Sequence, residues 1–316
     1  MRRRYIWSFI GAILFAGVAA GPMVFASAEV TGGVLQSATG TTTAVRTNTA
    51  QPAAVTTVRS APPRQVQAGA TYVAMGDSVA AGAGLPLLGN ATAMDKQCDR
   101  SGQAYPYQVA QALQTTVVQL ACSGAKVDEG IYGTQVRNGV RIPAQLPIAF
   151  SNGTPDLITV TIGANDMRWT QLIRQCYAVR CGYAADSVRT KIYRADLRIE
   201  LTRMLNQINT RSAGNPPRVL VGGYYSVLDS TECLTANRIT AAELAWLNEQ
   251  TASLNQAIRS VVPLFNFATY VPVNFQGHGI CSAEPWVQGL EAAAPAHPTS
   301  EGQAVIAQSF LTALGR

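Results

Sequence analysis

Three short segments carry residue types that could do chemistry together. Gly76-Asp77-Ser78 closes the apolar run Tyr72-Val-Ala-Met75, Gly163-Ala-Asn165-Asp166 follows a second apolar run, and His297 stands before Pro298 near the end of the chain. A serine hydroxyl is a poor nucleophile at neutral pH, so it needs a base to take its proton and fixed donors for the oxyanion it creates. His297 is a candidate base. Asn165 is a candidate donor, because its neutral amide offers N–H groups without a proton to lose, where an aspartate would repel the growing charge. Gly-Asp-Ser by itself also makes ordinary turns, so context has to carry the reading. Gly76 lets the chain turn tightly off the run, and Gly82 and Gly84 keep the loop after Ser78 thin.

Other chemistries fit less well. Gly82-Ala-Gly84 has Leu87 where a dinucleotide fingerprint needs its third glycine, and no Gly-x-Ser-x-Gly elbow exists. Asp77 and Asp166 could be paired carboxylates for glycoside hydrolysis, but loop hydrogen bonding is the expected task of both. His278 with Cys281 resembles half a metal site without a second half, so His278 is expected to be structural and no metal is expected. Trp286 either lines an apolar pocket or shields the Cys281 region.

From residue 70 short apolar runs alternate with longer helical stretches, the pattern of an α/β domain. Strands are expected over 71–75, 116–121, 157–162 and 218–223, with 264–268 as a fifth. A helix over 240–262 has Leu244, Leu247, Thr251, Leu254, Ile258 and Val261 on one face, opened by a Thr240/Glu243 capping box. Another over 187–208 shows Val188, Ile192, Ala195 and Ile199 as its core stripe, leaving Arg189, Arg194 and Arg198 to solvent. A last helix, 300–314, opens with a Ser300-x-x-Gln303 box whose positive end would keep His297 neutral. In a parallel sheet Ser78 and Asn165 would both emerge at the carboxyl rim of the strands, where such sheets bind ligands.

The chain has 316 residues and a net charge of +6. Arg2-Arg3-Arg4, an uncharged run and Ala26-Ser27-Ala28 read as a signal peptide over 1–28, or as an uncleaved anchor; either puts the domain outside the cytoplasm. Without those three arginines, 21 basic residues face 18 acidic ones, a balance of +3 that gives no reason to expect nucleic acid. Residues 29–68, rich in Thr, Ala and Pro, read as a disordered linker, and 69–316 as the domain. Six cysteines, all in the exported part, fit three disulfides in any of fifteen pairings; Cys176 and Cys181 bracket only four residues and could close a small loop.

Gly-Asp-Ser after a first strand, the isolated glycine of Ala121-Cys-Ser-Gly124-Ala, Gly163-Ala-Asn165-Asp166 and His297-Pro298 resemble the four ordered blocks of the SGNH (GDSL-type) hydrolases. Cys98-Asp-Arg-Ser101 before Tyr105-Pro106, Leu120-Ala-Cys-Ser-Gly-Ala125, and Gly277-His-Gly-Ile-Cys281 with Pro285-Trp286 are similar to segments of the secreted esterases and lipases of actinomycetes. The resemblance covers about 70–316. It implies a flavodoxin-like three-layer α/β/α sandwich around a central, mostly parallel five-stranded sheet. It further implies Ser78 as nucleophile, His297 as general base and then acid, and an oxyanion hole made by the backbone N–H groups of Ser78 and Gly124 with the Asn165 side chain. The pairings it implies are Cys98–Cys122, Cys176–Cys181 and Cys233–Cys281.

The sequence departs from the family where an aspartate usually stands three residues before the histidine: that position is Ala294. A Ser78–His297 dyad with the Ala294 carbonyl as orienter is therefore expected, with Glu291 in reserve. Val79 replaces the leucine of the name-giving motif. The function expected is a secreted carboxylic-ester hydrolase, an esterase or lipase working through an acyl-serine without metal or cofactor. The alternatives are a polysaccharide O-acetyl esterase and a catalytically weak cell-surface binding module. A small-molecule or lipid ester is the expected substrate of a monomer, with attachment to membrane or wall through the N-terminal segment left open.

Overall fold

The structure is a computed structural model that describes residues 64–228 and 239–316. The expected signal peptide, 1–28, and all but the last five residues of the expected linker lie outside them. Those five pack on the domain: the Arg64 guanidinium pairs with Asp156 at 3.1 Å and Val66 lies against the core.

Five strands form the central sheet: β1 (Tyr72–Gly76), β2 (Val117–Gln119), β5 (Leu157–Thr161), β6 (Arg218–Gly222) and β7 (Ala268–Val271). Their order is β2-β1-β5-β6-β7 and every neighbouring pair is parallel. All residues of β1 and β5 are buried, as helices covering both faces of a parallel sheet require. The fifth strand lies later than the expected 264–268, because Val262–Leu264 close the preceding helix in a 3-10 turn through Pro263.

The connections carry α1 (Ser78–Ala81), α2 (Ala93–Cys98), α3 (Tyr105–Ala112), α4 (Gln145–Ala149), α5 (Trp169–Ala178), α6 (Ala184–Arg211), α7 (Ala241–Val261) and α8 (Ser300–Ala313). Right-handed crossovers place α1–α3 on one face and α4–α7 on the other. α8 returns to the first face, where Phe310 stacks on Tyr105 of α3 at 4.7 Å, and α6 packs against α7. The chain thus runs outward in opposite directions from β1 and β5. That reversal opens a crevice at the carboxyl ends of the two strands.

α7 meets its expectation fully. Its six-residue stripe is buried and Thr240 and Glu243 cap each other reciprocally. α6 does not. Val188, Ile192 and Ile199 are 57%, 54% and 64% exposed, while Leu197, Leu201, Met204, Leu205 and Ile208 face the core. Both sets recur at helical spacing. The C-terminal half holds the larger apolar residues, and burying them turns the Val188–Ile199 stripe to the opposite side. Arg194, expected in solvent, is half-buried and donates to Ser253 Oγ of α7 at 3.0 Å. For α8 the capping residue is Thr299 rather than Ser300, its hydroxyl accepting the Gly302 N–H at 3.2 Å.

A two-stranded antiparallel hairpin, β3 (Gln135–Arg137) and β4 (Val140–Ile142), was not expected from the sequence. Its turn, Asn138-Gly139, has φ of 50° and 78°, the left-handed pair that suits Asn-Gly and matches strand twist.

Candidate active site

β1 delivers Ser78 to the crevice through a close approach. Asp77 N donates to the Thr161 carbonyl of β5 at 2.9 Å, and a Cβ on Gly76, at φ 136°, would lie 2.3 Å from that same oxygen. Only glycine fits there. Gln145 of α4 reads both sides of Gly76, accepting its N–H at 2.8 Å and donating to its carbonyl at 2.9 Å. Asp77 then caps α1 by accepting the Val79 N–H at 2.9 Å, so Ser78 becomes the first residue of the helix. Its own N–H has no protein partner among the described residues.

The histidine comes from the other end of the domain. His297 Nε2 lies 2.7 Å from Ser78 Oγ, across 219 residues of sequence. Its Nδ1 lies 3.0 Å from the Pro295 carbonyl. A carbonyl can only accept, so Nδ1 carries the proton and Nε2 is left bare to accept from the serine hydroxyl. The orienter is therefore one residue away from the expected Ala294. Ala296 takes φ of 67°, which folds the imidazole back over the carbonyl two residues before it, and the Ala294 carbonyl already accepts the His297 backbone N–H at 3.3 Å. Glu291 is exposed and makes no hydrogen bond to the imidazole. Burial holds the His297 pKa below the usual 6.5, against the pull of the Pro295 and then the Ala294 carbonyl. The base is neutral at pH 7.

Gln288, which no motif singled out, and Gln303, expected only in a capping box, hold this loop. Gln288 N donates to the His297 carbonyl at 2.7 Å, and Ala296 N returns a bond to the Gln288 carbonyl at 3.0 Å. The buried Gln288 amide donates to the Ala83 carbonyl, just beyond α1, and to the Pro298 carbonyl, both at 2.9 Å. One side chain thus ties the serine segment to the histidine segment. Gly84 leaves it room, since a Cβ there would lie 2.3 Å from Gln288 Oε1. Gln303 of α8 adds a second tie, donating to the Val79 carbonyl at 2.9 Å and accepting from Tyr105 N at 2.8 Å.

The expected oxyanion donors stand on the loops that follow β1, β2 and β5. Gly124, at φ 83°, presents an N–H with no protein partner among the described residues. The hairpin supports its loop, Gln135 donating to the Ser123 carbonyl at 2.8 Å, and the Cys98–Cys122 disulfide ties it from behind. Such a bond contributes about 2–4 kcal/mol. Asn165 donates one amide hydrogen to the Ala125 carbonyl at 2.9 Å, which aims its second hydrogen. Tyr224, after β6, joins the two sides: its hydroxyl donates to Asp77 Oδ2 at 2.5 Å and accepts the Ala164 N–H at 3.2 Å.

Asp77 and Asp166 do bond loops. Asp166 accepts the Val127 N–H at 3.1 Å. Burial raises Asp77 to about 7, opposed by the Tyr224 hydroxyl and the Val79 N–H, and raises Asp166 to about 6, opposed by the Val127 N–H. His278 stacks on Trp286 at 3.6 Å and bonds the Glu284 carbonyl through Nδ1 at 2.8 Å. The Cys176–Cys181 disulfide is formed. Cys233, the expected partner of Cys281, lies outside the described residues. Among the described residues no group of three or more His, Cys, Asp or Glu could hold a metal ion.

Residues 74–305 match the model of the GDSL-like lipase/acylhydrolase family. The chain belongs to this family. It is 30% identical to a lipase of Streptomyces rimosus over 243 residues, which cover 73% of this chain and 82% of that lipase. It is 28% identical to lipase 1 of Streptomyces coelicolor over 79% of this chain and 89% of that protein. The crystal structure of an extracellular lipase from S. rimosus superposes with a TM-score of 0.60 at 26% identity, covering 78% of this chain and all of that one. A phospholipase A1 structure from Streptomyces albidoflavus shares the fold, with a TM-score of 0.59 at 23% identity over 78% of this chain and 99% of that chain. The family member described here is an ester hydrolase with the family's α/β fold.

Proposed function

We propose that this ester hydrolase is exported and cleaves acyl lipids through an acyl-serine intermediate, with Ser78 and His297 as a dyad. The observation that carries the reading is the 2.7 Å contact between His297 Nε2 and Ser78 Oγ. The hydroxyl proton passes to Nε2 as Oγ attacks the acyl carbon. The oxyanion is held by the N–H groups of Ser78 and Gly124 and by Asn165, each donor contributing about 10²–10³ in turnover. The imidazolium is held in place by the Pro295 carbonyl, 3.0 Å from Nδ1, until it protonates the leaving alcohol. Water then repeats the steps against the acyl-serine. A carbonyl fixes the tautomer without a charge, so the dyad needs no carboxylate.

The Streptomyces relatives named lipases support acyl lipids as the substrate class. The arginine-led N-terminal segment supports export, as does the likeness to the extracellular lipase of S. rimosus. A fluorophosphonate probe should label Ser78 alone, and Ser78→Ala should abolish both labelling and hydrolysis of chromogenic esters. A folded chain that resists the probe, or turnover that survives Ser78→Ala, would refute the dyad.

A further inference from the structure

The exposed side of α6 is built like a surface-binding helix. Val188, Ile192, Ala195 and Ile199 lie within one narrow arc directly opposite Leu197, Leu201 and Ile208, which face the core. Cations border the arc on both sides, Arg189 and Arg203 on one, with the exposed Asp196 between them, and Lys191 and Arg198 on the other. Arg189 is paired with Asp186, and Arg203 is 4.0 Å from Glu200, whereas Lys191 and Arg198 make no ion pair among the described residues. Val179 and Tyr183, 79% and 58% exposed, add apolar surface near the N-terminal end of the helix.

Charge is concentrated here. Residues 168–203 hold eight cations and three acids, a balance of +5, while the chain beyond residue 28 carries only +3 in all. The rest of the exported part is therefore net negative, and this stretch is the positive exception. An apolar stripe edged on the Lys191–Arg198 side by cations without ion pairs matches the boundary of an anionic lipid surface, with side chains entering the acyl region and cations meeting headgroups. A second copy fits worse. A stable dimer buries about 1,200–2,000 Å², more than one narrow stripe offers, and two-fold pairing would set the cations against each other.

The inner side of the same helix adjoins the site. Arg168, whose N–H bonds the Asn165 carbonyl at 3.1 Å, lies over the ring of Tyr193 of α6 at 5.0 Å. On the inner side of the helix, Leu197 touches the position a Gly163 Cβ would occupy, at 3.2 Å. We infer that α6 docks the protein on anionic lipid surfaces through Val188, Ile192 and Ile199, flanked by Lys191 and Arg198. The inference concerns binding and stands whether or not Ser78 carries the chemistry.

The chain contains only three lysines, Lys96, Lys126 and Lys191, so acetylation by a water-soluble reagent reads the stripe locally, with Lys96 on α2 as internal reference. The full chain carrying Ser78→Ala, which spares the lipid, is labelled with and without mixed phosphatidylcholine–phosphatidylglycerol vesicles. Lys191 should react roughly tenfold more slowly with these vesicles, with little change on pure phosphatidylcholine. Ile192→Asn with Ile199→Asn should abolish the protection, and Arg198→Glu should weaken it. With Ser78 intact, the same double variant should still hydrolyse a soluble short-chain ester at the normal rate, which shows that it folds. Unchanged labelling of Lys191 with vesicles, or protection that survives the double substitution, overturns the inference. So does protection without vesicles: if it grows with protein concentration, a second copy covers the stripe, and if it does not, another segment of the chain does.

Discussion

At the residue scale, the candidate site leaves atoms unspent. The Ser78 and Gly124 N–H groups have no protein partner among the described residues while their neighbours are bonded, and His297 has one nitrogen committed to Pro295 and the other to the serine. Burial keeps that imidazole neutral to lower pH than usual, so the acid limb of kcat/KM should have its midpoint below 6.5. Asp77, raised to about 7 beside Ser78, is another group able to shape that limb. A pH–rate profile of Asp77→Asn separates them, and the limb should persist there. A midpoint above 6.5, or a limb that vanishes with Asp77, would contradict the assignment to His297. The residue types of the site could be read in the chain, because Ser, Asn and His are there for their own chemistry. The Pro295 carbonyl could not be read, since every residue has a carbonyl and only the left-handed turn at Ala296 selects this one.

At the element scale, distant segments must hold a sub-ångström relation, and buried amides do this. Gln145, Gln288 and Gln303 each bond backbone atoms far from themselves in sequence; Gln145 and Gln288 lie on no motif, and Gln303 is marked only as a capping-box residue. Replacing Gln288 by Met keeps the volume but frees two carbonyls and loosens the join between Ala83 and Pro298. Steady-state kinetics should show kcat reduced by about 10²-fold with KM little changed, because misplacement of a base by about 1 Å costs that much. A fall in KM affinity with kcat intact would mean that Gln288 serves substrate binding instead. α7 was legible because its one stripe has no competitor. α6 carries two stripes, Val188–Ile199 and Leu197–Ile208, and periodicity alone does not say which one the sheet takes. The β3–β4 hairpin had its signal in Asn138-Gly139, flanked by Val136, Val140 and Ile142.

At the scale of the whole molecule, buried carboxyls shape how stability depends on pH. Asp77 and Asp166 retain a proton up to about 7 and about 6, against 3.8 for the ordinary group. The folded chain then binds more protons than the unfolded one, so their contribution is full below about 4 and is lost as pH rises through the folded values. Asp95, Asp156, Asp186 and Glu243 are held low by their partners and act oppositely, but only as pH falls below about 4. His297, lowered by burial, also opposes the two raised aspartates near its usual 6.5. The clean measurement is a difference in Tm. Relative to wild type, Asp77→Asn should lose less stability between about pH 4 and 7. Identical slopes in the two chains would show that Asp77 titrates as an exposed carboxylate.

The amino-acid order alone gives the alternation of strand and helix and the candidates Ser78, Asn165 and His297, because periodicity and chemical type are local properties, while Gly124 follows from the family resemblance. Tertiary structure alone decided which carbonyl faces Nδ1, which stripe of α6 the core takes, and that Tyr224 and Gln288 join the two sides of the site. Each of those depends on which atoms remain unpaired after the sheet has brought both ends of the chain together, and no local pattern records that.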